Sequence, residues 1–152
     1  MRAMGLDVGD KTIGVAVSDE NMVLAMPLKV IKRTASVRKD INEIRRLVEE
    51  LGVTTLVVGM PMTLDGTCGI QAEKVQDFVN ELKRRLHMRI ETWDERLTTV
   101  EAERVLIDAD EARAKRKAVI DKMAASLILQ SYLDRCRQEA QKKTNDRESE
   151  TA

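Results

Sequence analysis

The apolar residues of this chain change their spacing at residue 36, and that change limits the folds open to it. Before it, the runs Ala3 to Val8, Ile13 to Ser18 and Met22 to Ile31 are too short for helices and are joined only by the turns Gly9-Asp10-Lys11-Thr12 and Asp19-Glu20-Asn21. Links that short join antiparallel neighbours, so these runs predict a three-stranded meander, with Pro27 placing the third strand at an edge. After residue 36, Ile41, Ile44, Leu47, Val48 and Leu51 recur at helical spacing, with Ser36 as N-cap and Gly52 as the stop. Thr54 to Met60 is charge-free and β-branched, which predicts an interior strand covered on both faces and ended by Pro61. Val75, Phe78, Val79, Leu82 and Leu86 mark a second helix, and Met88 to Trp93 a fifth strand.

Further on, Thr98 or Thr99 can cap a helix through Asp108, with Glu101 near its positive end. A polar break at Asp110-Glu111-Ala112-Arg113 precedes a last helix over about Lys117 to Arg137. Gln138 to Ala152 is polar and expected to be disordered. The order predicts an α/β domain over 1–137, a five-stranded mixed sheet with helices on both faces. Ligands of such sheets bind at the carboxyl ends of the parallel strands.

Composition narrows the function. Lys and Arg total 26 and Asp and Glu total 26, so no global basic field exists and any nucleic-acid contact must come from local patches. Aromatic residues make up only 2% of the 152, namely Phe78, Trp93 and Tyr132, which excludes a platform of stacking rings. No apolar run approaches the ~20 residues that span a bilayer and the N-terminus lacks a signal-peptide pattern, so a cytoplasmic protein without a membrane partner is expected. Cys68 and Cys136 fit no metal spacing and read as free thiols. His87, the sole histidine, lies in the charged stretch Lys83-Arg84-Arg85-Leu86-His87 and reads as a surface residue, leaving little material for a histidine-centred triad.

Carboxylates are the candidates for chemistry. Asp7 ends an apolar strand, where an acid either faces a ligand or caps the Gly9 to Lys11 turn. Asp94 and Glu95 end the fifth strand, and because adjacent strand residues point to opposite faces, only one of them faces a site there. Asp121 shares a helical face with Ala118, Ala124, Ala125 and Ile128. An unpaired carboxylate buried there would cost several kcal/mol, so it must meet a metal or a cation such as Lys117. If the sheet order brings these three segments together, their oxygens suit Mg²⁺ or Mn²⁺ and metal-assisted hydrolysis of a phosphodiester. Lys11, Arg96 and the cluster Arg113, Lys115, Arg116 and Lys117 could contact the phosphate backbone or merely solvate a surface. Asp7-x-Gly9 before Ile13-Gly14-Val15 is also similar to the first phosphate-binding hairpin of actin-like ATPases and sugar kinases. Those proteins clamp nucleotide between two related lobes, and no second copy of the hairpin occurs here.

Four segments together resemble the YqgF/RuvX family: Gly5-Leu6-Asp7-Val8-Gly9-Asp10-Lys11-Thr12-Ile13-Gly14-Val15-Ala16-Val17-Ser18-Asp19; Val57-Val58-Gly59-Met60-Pro61 with Asp65-Gly66-Thr67; Asp94-Glu95-Arg96-Leu97-Thr98-Thr99; and Arg116-Lys117 before Asp121-Lys122-Met123-Ala124-Ala125. The resemblance spans residues 1 to about 136 and implies a ribonuclease H-like fold. It also implies a metal-dependent nuclease, first described as a Holliday-junction resolvase and associated with maturation of the 5′ end of precursor 16S ribosomal RNA. The acidic site it implies maps to Asp7, to Asp94 or Glu95, and to Asp121, with Lys11, Arg96, Arg116 and Lys117 on the substrate. A DNA junction would call for a homodimer, whereas structured RNA is compatible with a monomer. Thr12 stands where many members carry arginine and Thr63 where asparagine is frequent. Gly59-Met60-Pro61 stands where many ribonuclease H-like nucleases carry an acid, so the second carboxylate must come from strand five.

Overall fold

The computed structural model describes residues 1–62, 69–97 and 113–150, the side chains of 113–122 and 148–150 excepted. β1 (Arg2–Val8), β2 (Thr12–Ser18) and β3 (Ala25–Lys32) form the meander, followed by α1 (Val37–Leu51), β4 (Val53–Met60), α2 (Ile70–Arg85) and β5 (Arg89–Asp94). A 3-10 turn at Glu95–Leu97 follows β5, and a long helix, α3, spans Arg113–Glu150. The strands lie in the order β3-β2-β1-β4-β5. β1 is antiparallel to β2 and parallel to β4, and β4 is parallel to β5. Pro27 therefore sits on an edge strand and Thr54 to Met60 in an interior one, as the sequence predicts.

Alternation along the strands sorts the core into two layers. Met4, Leu6, Val8, Ile13, Val15, Leu56, Val58 and Met60 pack beneath α1 and α2. Ala3, Ala16 and Val57 pack beneath Ala124, Ala125, Ile128, Leu129 and Leu133 of α3. On the strand side this layer is mostly small, with Ala3, Gly5 and Ala16, so α3 lies close to the strands. A Cβ on Gly5 would stand 2.8 Å from both the Ala125 carbonyl oxygen and Leu129 Cβ. The carbonyl cannot swing aside without disturbing its helix. Gly5→Ala is therefore expected to cost about 1–3 kcal/mol by prising α3 from the sheet. Thermal unfolding should show a midpoint several degrees lower; an unchanged midpoint would show that the helix gives way freely.

Local chemistry sets the element ends. Ser36 Oγ accepts the Lys39 amide at 3.3 Å, and Gly52, at φ 65°, ends α1 in the left-handed region. β3 begins at Ala25 rather than Met22 because Asp19 Oδ1 accepts the Val23 and Leu24 amides at 2.7 and 3.0 Å, which bends those residues into the turn. Met22 adopts φ 57° there.

The largest correction is at the C-terminus. Helix α3 does not stop near Arg137 but runs to Glu150, so the polar segment expected to be disordered is helical, with residues 137–147 exposed. No Gly or Pro interrupts residues 138–150, good helix formers dominate its start, and the Arg135–Glu139 pair, 3.3 Å apart, spans one turn. The expected helix through Asp108 and the break before Arg113 lie outside the described residues, as does Cys68. Cys136 is a free thiol and His87 is exposed, as expected. Among the described residues no helix is long and apolar enough to cross a membrane.

Candidate active site

Strand register gathers the acids at one end of the sheet. Asp7 pairs with Gly14 of β2, and the β1–β4 pairing runs up to Leu6 opposite Val58, so Asp7 stands beside Gly59 at the ~4.8 Å spacing of neighbouring strands. Gly59 is in turn opposite Trp93, and Met60 opposite Asp94. Ala3 and Gly5 face α3, so Asp7, two residues further, does as well. Its neighbours at that level, Gly14 and Gly59, carry no side chains, while Asp7 itself is only 9% exposed. A carboxylate is thus held largely out of water between two glycines.

The adjacent acids after β5 part company. Glu95 turns back over β4, its Oε1 2.9 Å and its Cγ 3.3 Å from where a Cβ on Gly59 would lie. Asp94 is taken by Arg96, whose backbone amide reaches Oδ1 and whose Nε reaches Oδ2, each at 2.9 Å. The side-chain hydrogen bond from Arg96 is the main reason the Asp94 carboxyl titrates below its ordinary range. Of the pair, Glu95 shares the face of Asp7. Glu91 also lies on that face, but mid-strand. Burial pushes its carboxyl up, while hydrogen bonds from Tyr132 and Arg89 outweigh that and hold it low.

Asp121 belongs to α3, one helical turn before Ala125, whose carbonyl abuts Gly5. Its side chain, and those of Arg116 and Lys117, lie outside the described residues. Lys11 is exposed in the turn after Asp7, and Arg96 remains 38% exposed while bound to Asp94.

Two features escaped the sequence reading. Gly59 falls inside the predicted strand, but nothing near it in the sequence shows that it is Glu95 and Ile128 for which its missing side chain makes room in β4. A glycine closing a β-branched run is the signal for such close approach. The second is an Arg33–Asp40 clamp. Arg33 Nη1 donates to the Gly9 carbonyl at 2.9 Å, its Nε faces Asp40 at 3.4 Å, and its guanidinium lies 5.0 Å over Phe78. Asp40, 2% exposed, also accepts the Thr34 amide and hydroxyl at 2.9 and 3.0 Å. The clamp fixes the turn that follows Asp7. Asp40 sits on the stripe of Ile41, Ile44 and Leu47, the same sequence signal that marks Asp121. Asp40→Ala would strip a half-buried arginine and two Thr34 donors of their partner, an expected cost of about 2–4 kcal/mol. Denaturant unfolding measures it, and a loss below about 1 kcal/mol would contradict the clamp.

Among the described residues no three acidic, histidine or cysteine side chains come together, and Asp7 and Glu95 are the two acids at this end of the face whose oxygens suit a hard divalent cation. Asp7 and Glu95 offer carboxylate oxygens on one face with no side chain on Gly59 between them, and no imidazole or thiolate is required.

A meander followed by two strands parallel to β1, with acids at the carboxyl ends of β1 and β5 and a helix across one face, defines an α/β protein with a ribonuclease H-like fold. Two solved structures share the fold. The Thermus thermophilus RuvC complex with a Holliday junction substrate matches with a TM-score of 0.55 at 13% identity, over 87% of this chain and 94% of that one. Thermus thermophilus RuvC alone matches with a TM-score of 0.52 at 11% identity, over 88% and 94%. The chain belongs to the RuvX family, whose model, described as a Holliday junction resolvase, matches residues 1–135. A relative from Desulforamulus reducens is 54% identical over 134 residues, covering 88% of this chain and 97% of its own. One from Thermoanaerobacter pseudethanolicus is 56% identical over 135 residues, covering 88% and 96%. Both relatives carry the name "Putative pre-16S rRNA nuclease".

Proposed function

We propose that this chain is a metal-dependent nuclease that hydrolyses phosphodiester bonds of structured RNA in the cytoplasm, in the 5′-end maturation of precursor 16S rRNA. The observation that carries the reading is Glu95 folded over Gly59 beside the largely buried Asp7. The names of the relatives, which match almost their full length, supply the substrate class.

Asp7, Glu95 and Asp121 would hold Mg²⁺ or Mn²⁺. Bound there, the ion supplies an activated water and stabilises the leaving oxygen. The protein does the rest. Asp7 is fixed by the sheet on both sides, and Glu95 is set by the turn that Asp94 and Arg96 lock through their hydrogen bonds. Lys11, Arg96, Arg116 and Lys117 hold the scissile strand by its phosphates, which suits a chain too poor in aromatics to grip by stacking.

A four-way DNA junction is the second substrate, favoured by the description of the family model. Symmetric incision would require two copies of the site. Cleavage of a precursor 16S 5′ segment beside a four-way junction, with sedimentation of the pure protein, separates the two. Metal-dependent cutting of the RNA by a monomer is expected. Paired incisions in the junction by a dimer would favour resolution, and RNA bound but never cut would point to a non-catalytic assembly factor.

A further inference from the structure

The chain has no net charge, yet residues 29–46 hold seven cations, Lys29, Lys32, Arg33, Arg38, Lys39, Arg45 and Arg46, against two acids, Asp40 and Glu43. The structure shows which of them are committed. Arg33 is held by Asp40, Glu43 is shared by Lys29 and Arg46, and Arg45 reaches Asn42 and the Arg85 carbonyl. Lys32, Arg38 and Lys39 are exposed, and their side chains make no hydrogen bond or ion pair among the described residues. Lys32 and Lys39 border a cleft of 380 Å³ between the end of β3 and α1, whose floor includes the buried Asp40.

The location matters more than the charge. Lys32 closes β3 opposite Thr12, and the Arg33 amide donates to the Lys11 carbonyl at 2.8 Å, so the β3 terminus lies against the turn after Asp7. It is two strand spacings from β1, about 10 Å. A stacked strand advances ~3.4 Å per nucleotide, so roughly three steps would carry its phosphates from Asp7 past Lys11 to this patch. Arg38 and Lys39 also occupy the first turn of α1, where the helix dipole disfavours cations. Their placement is costly for the free protein and suits one facing a polyanion.

We infer that Lys32, Arg38 and Lys39 form a phosphate track on the β3–α1 side of the active site, holding the backbone of the RNA that flanks the scissile bond. The inference rests on the nuclease reading and assigns a side to the substrate: the RNA leaves the site across the β1–β2 turn and the end of β3. The Arg33–Asp40 clamp ties this track to the Asp7 turn, so flank and scissile phosphate keep a fixed spacing.

The test is the salt dependence of RNA binding by the full chain. Equilibrium binding of the precursor 16S 5′ segment is measured across a series of KCl concentrations for the wild type, for Lys32→Gln/Arg38→Gln/Lys39→Gln, and for the charge-matched control Lys83→Gln/Lys142→Gln/Lys143→Gln. All six substituted side chains are exposed, so unfolding midpoints should be shared by all three proteins. Each lost phosphate contact lowers the slope of log K against log salt by about 0.7–0.9, so the track variant is expected to lose about 2–3 from the slope while the control keeps it. A track variant with the wild-type slope overturns the inference, as does a control that loses as much. Wild-type protein that binds and cuts RNA while the track variant is unaffected leaves the nuclease reading standing and removes the track alone. Failure of the wild type to bind or cut overturns both.

Discussion

Asp7→Asn is expected to lower RNA cleavage by about a thousandfold or more while leaving the fold in place. A thousandfold is ~4 kcal/mol of transition-state stabilisation, the scale a correctly held metal supplies and one weak amide ligand does not replace. The fold should survive because the substitution keeps the shape of a side chain flanked by Gly14 and Gly59 and alters none of the ladder bonds of β1. Single-turnover cleavage read beside a thermal melt separates the two effects. Loss of cleavage with a midpoint within a few degrees of wild type is the expected pair. Retained cleavage removes Asp7 from the metal site, and a collapsed midpoint would make it a structural acid instead.

Glu95→Gln and Asp94→Asn should then differ sharply, although the two residues are neighbours. Glu95 lies over Gly59 on the face of Asp7, so loss of its charge is expected to lower the rate by about a hundredfold or more. Asp94 spends its carboxylate on the Arg96 amide and guanidinium. Its amide variant would loosen the turn and lower cleavage by less than about tenfold. Because Arg96 depresses the Asp94 carboxyl, folding gains from that pair above the ordinary carboxylate range and loses the gain as pH falls through the lowered value. Side-by-side rates at saturating metal decide the assignment. Equal losses in both variants, or the larger loss in Asp94→Asn, would exchange the two residues.

Much of this arrangement was legible in the sequence because strand and helix periods are local. The Ser36 cap, the Gly52 stop, Pro27 at an edge and the charge-free interior strand each follow from a few neighbouring residues. Asp7 could be singled out for a similar reason, since an acid in an apolar run is costly unless it meets a partner; Asp121 is proposed on the same ground, and its side chain lies outside the described residues. The choice between Asp94 and Glu95 could not be made that way. It depends on the backbone leaving the strand into a 3-10 turn, which lets Glu95 reach back over a glycine. Gly59 itself takes its meaning from Ile128, 69 positions away in the chain. Nothing local in the sequence distinguishes Arg33 from its neighbouring cations; its role comes from the end of β3, which sets it beside the Gly9 carbonyl. The extension of the last helix past Arg137 was not legible for the opposite reason: polarity argues against burial, not against helix, and residues 138–150 lack any helix breaker.

The most direct test of the central claim is cleavage of the precursor 16S 5′ segment as a function of metal, for the wild type and for Asp121→Asn. Wild type is expected to cut nothing in chelator and to recover cutting with Mg²⁺ or Mn²⁺, while the variant stays inactive or needs far more metal. Cleavage that persists in chelator, or an Asp121→Asn protein with the wild-type rate and metal requirement, would contradict that claim.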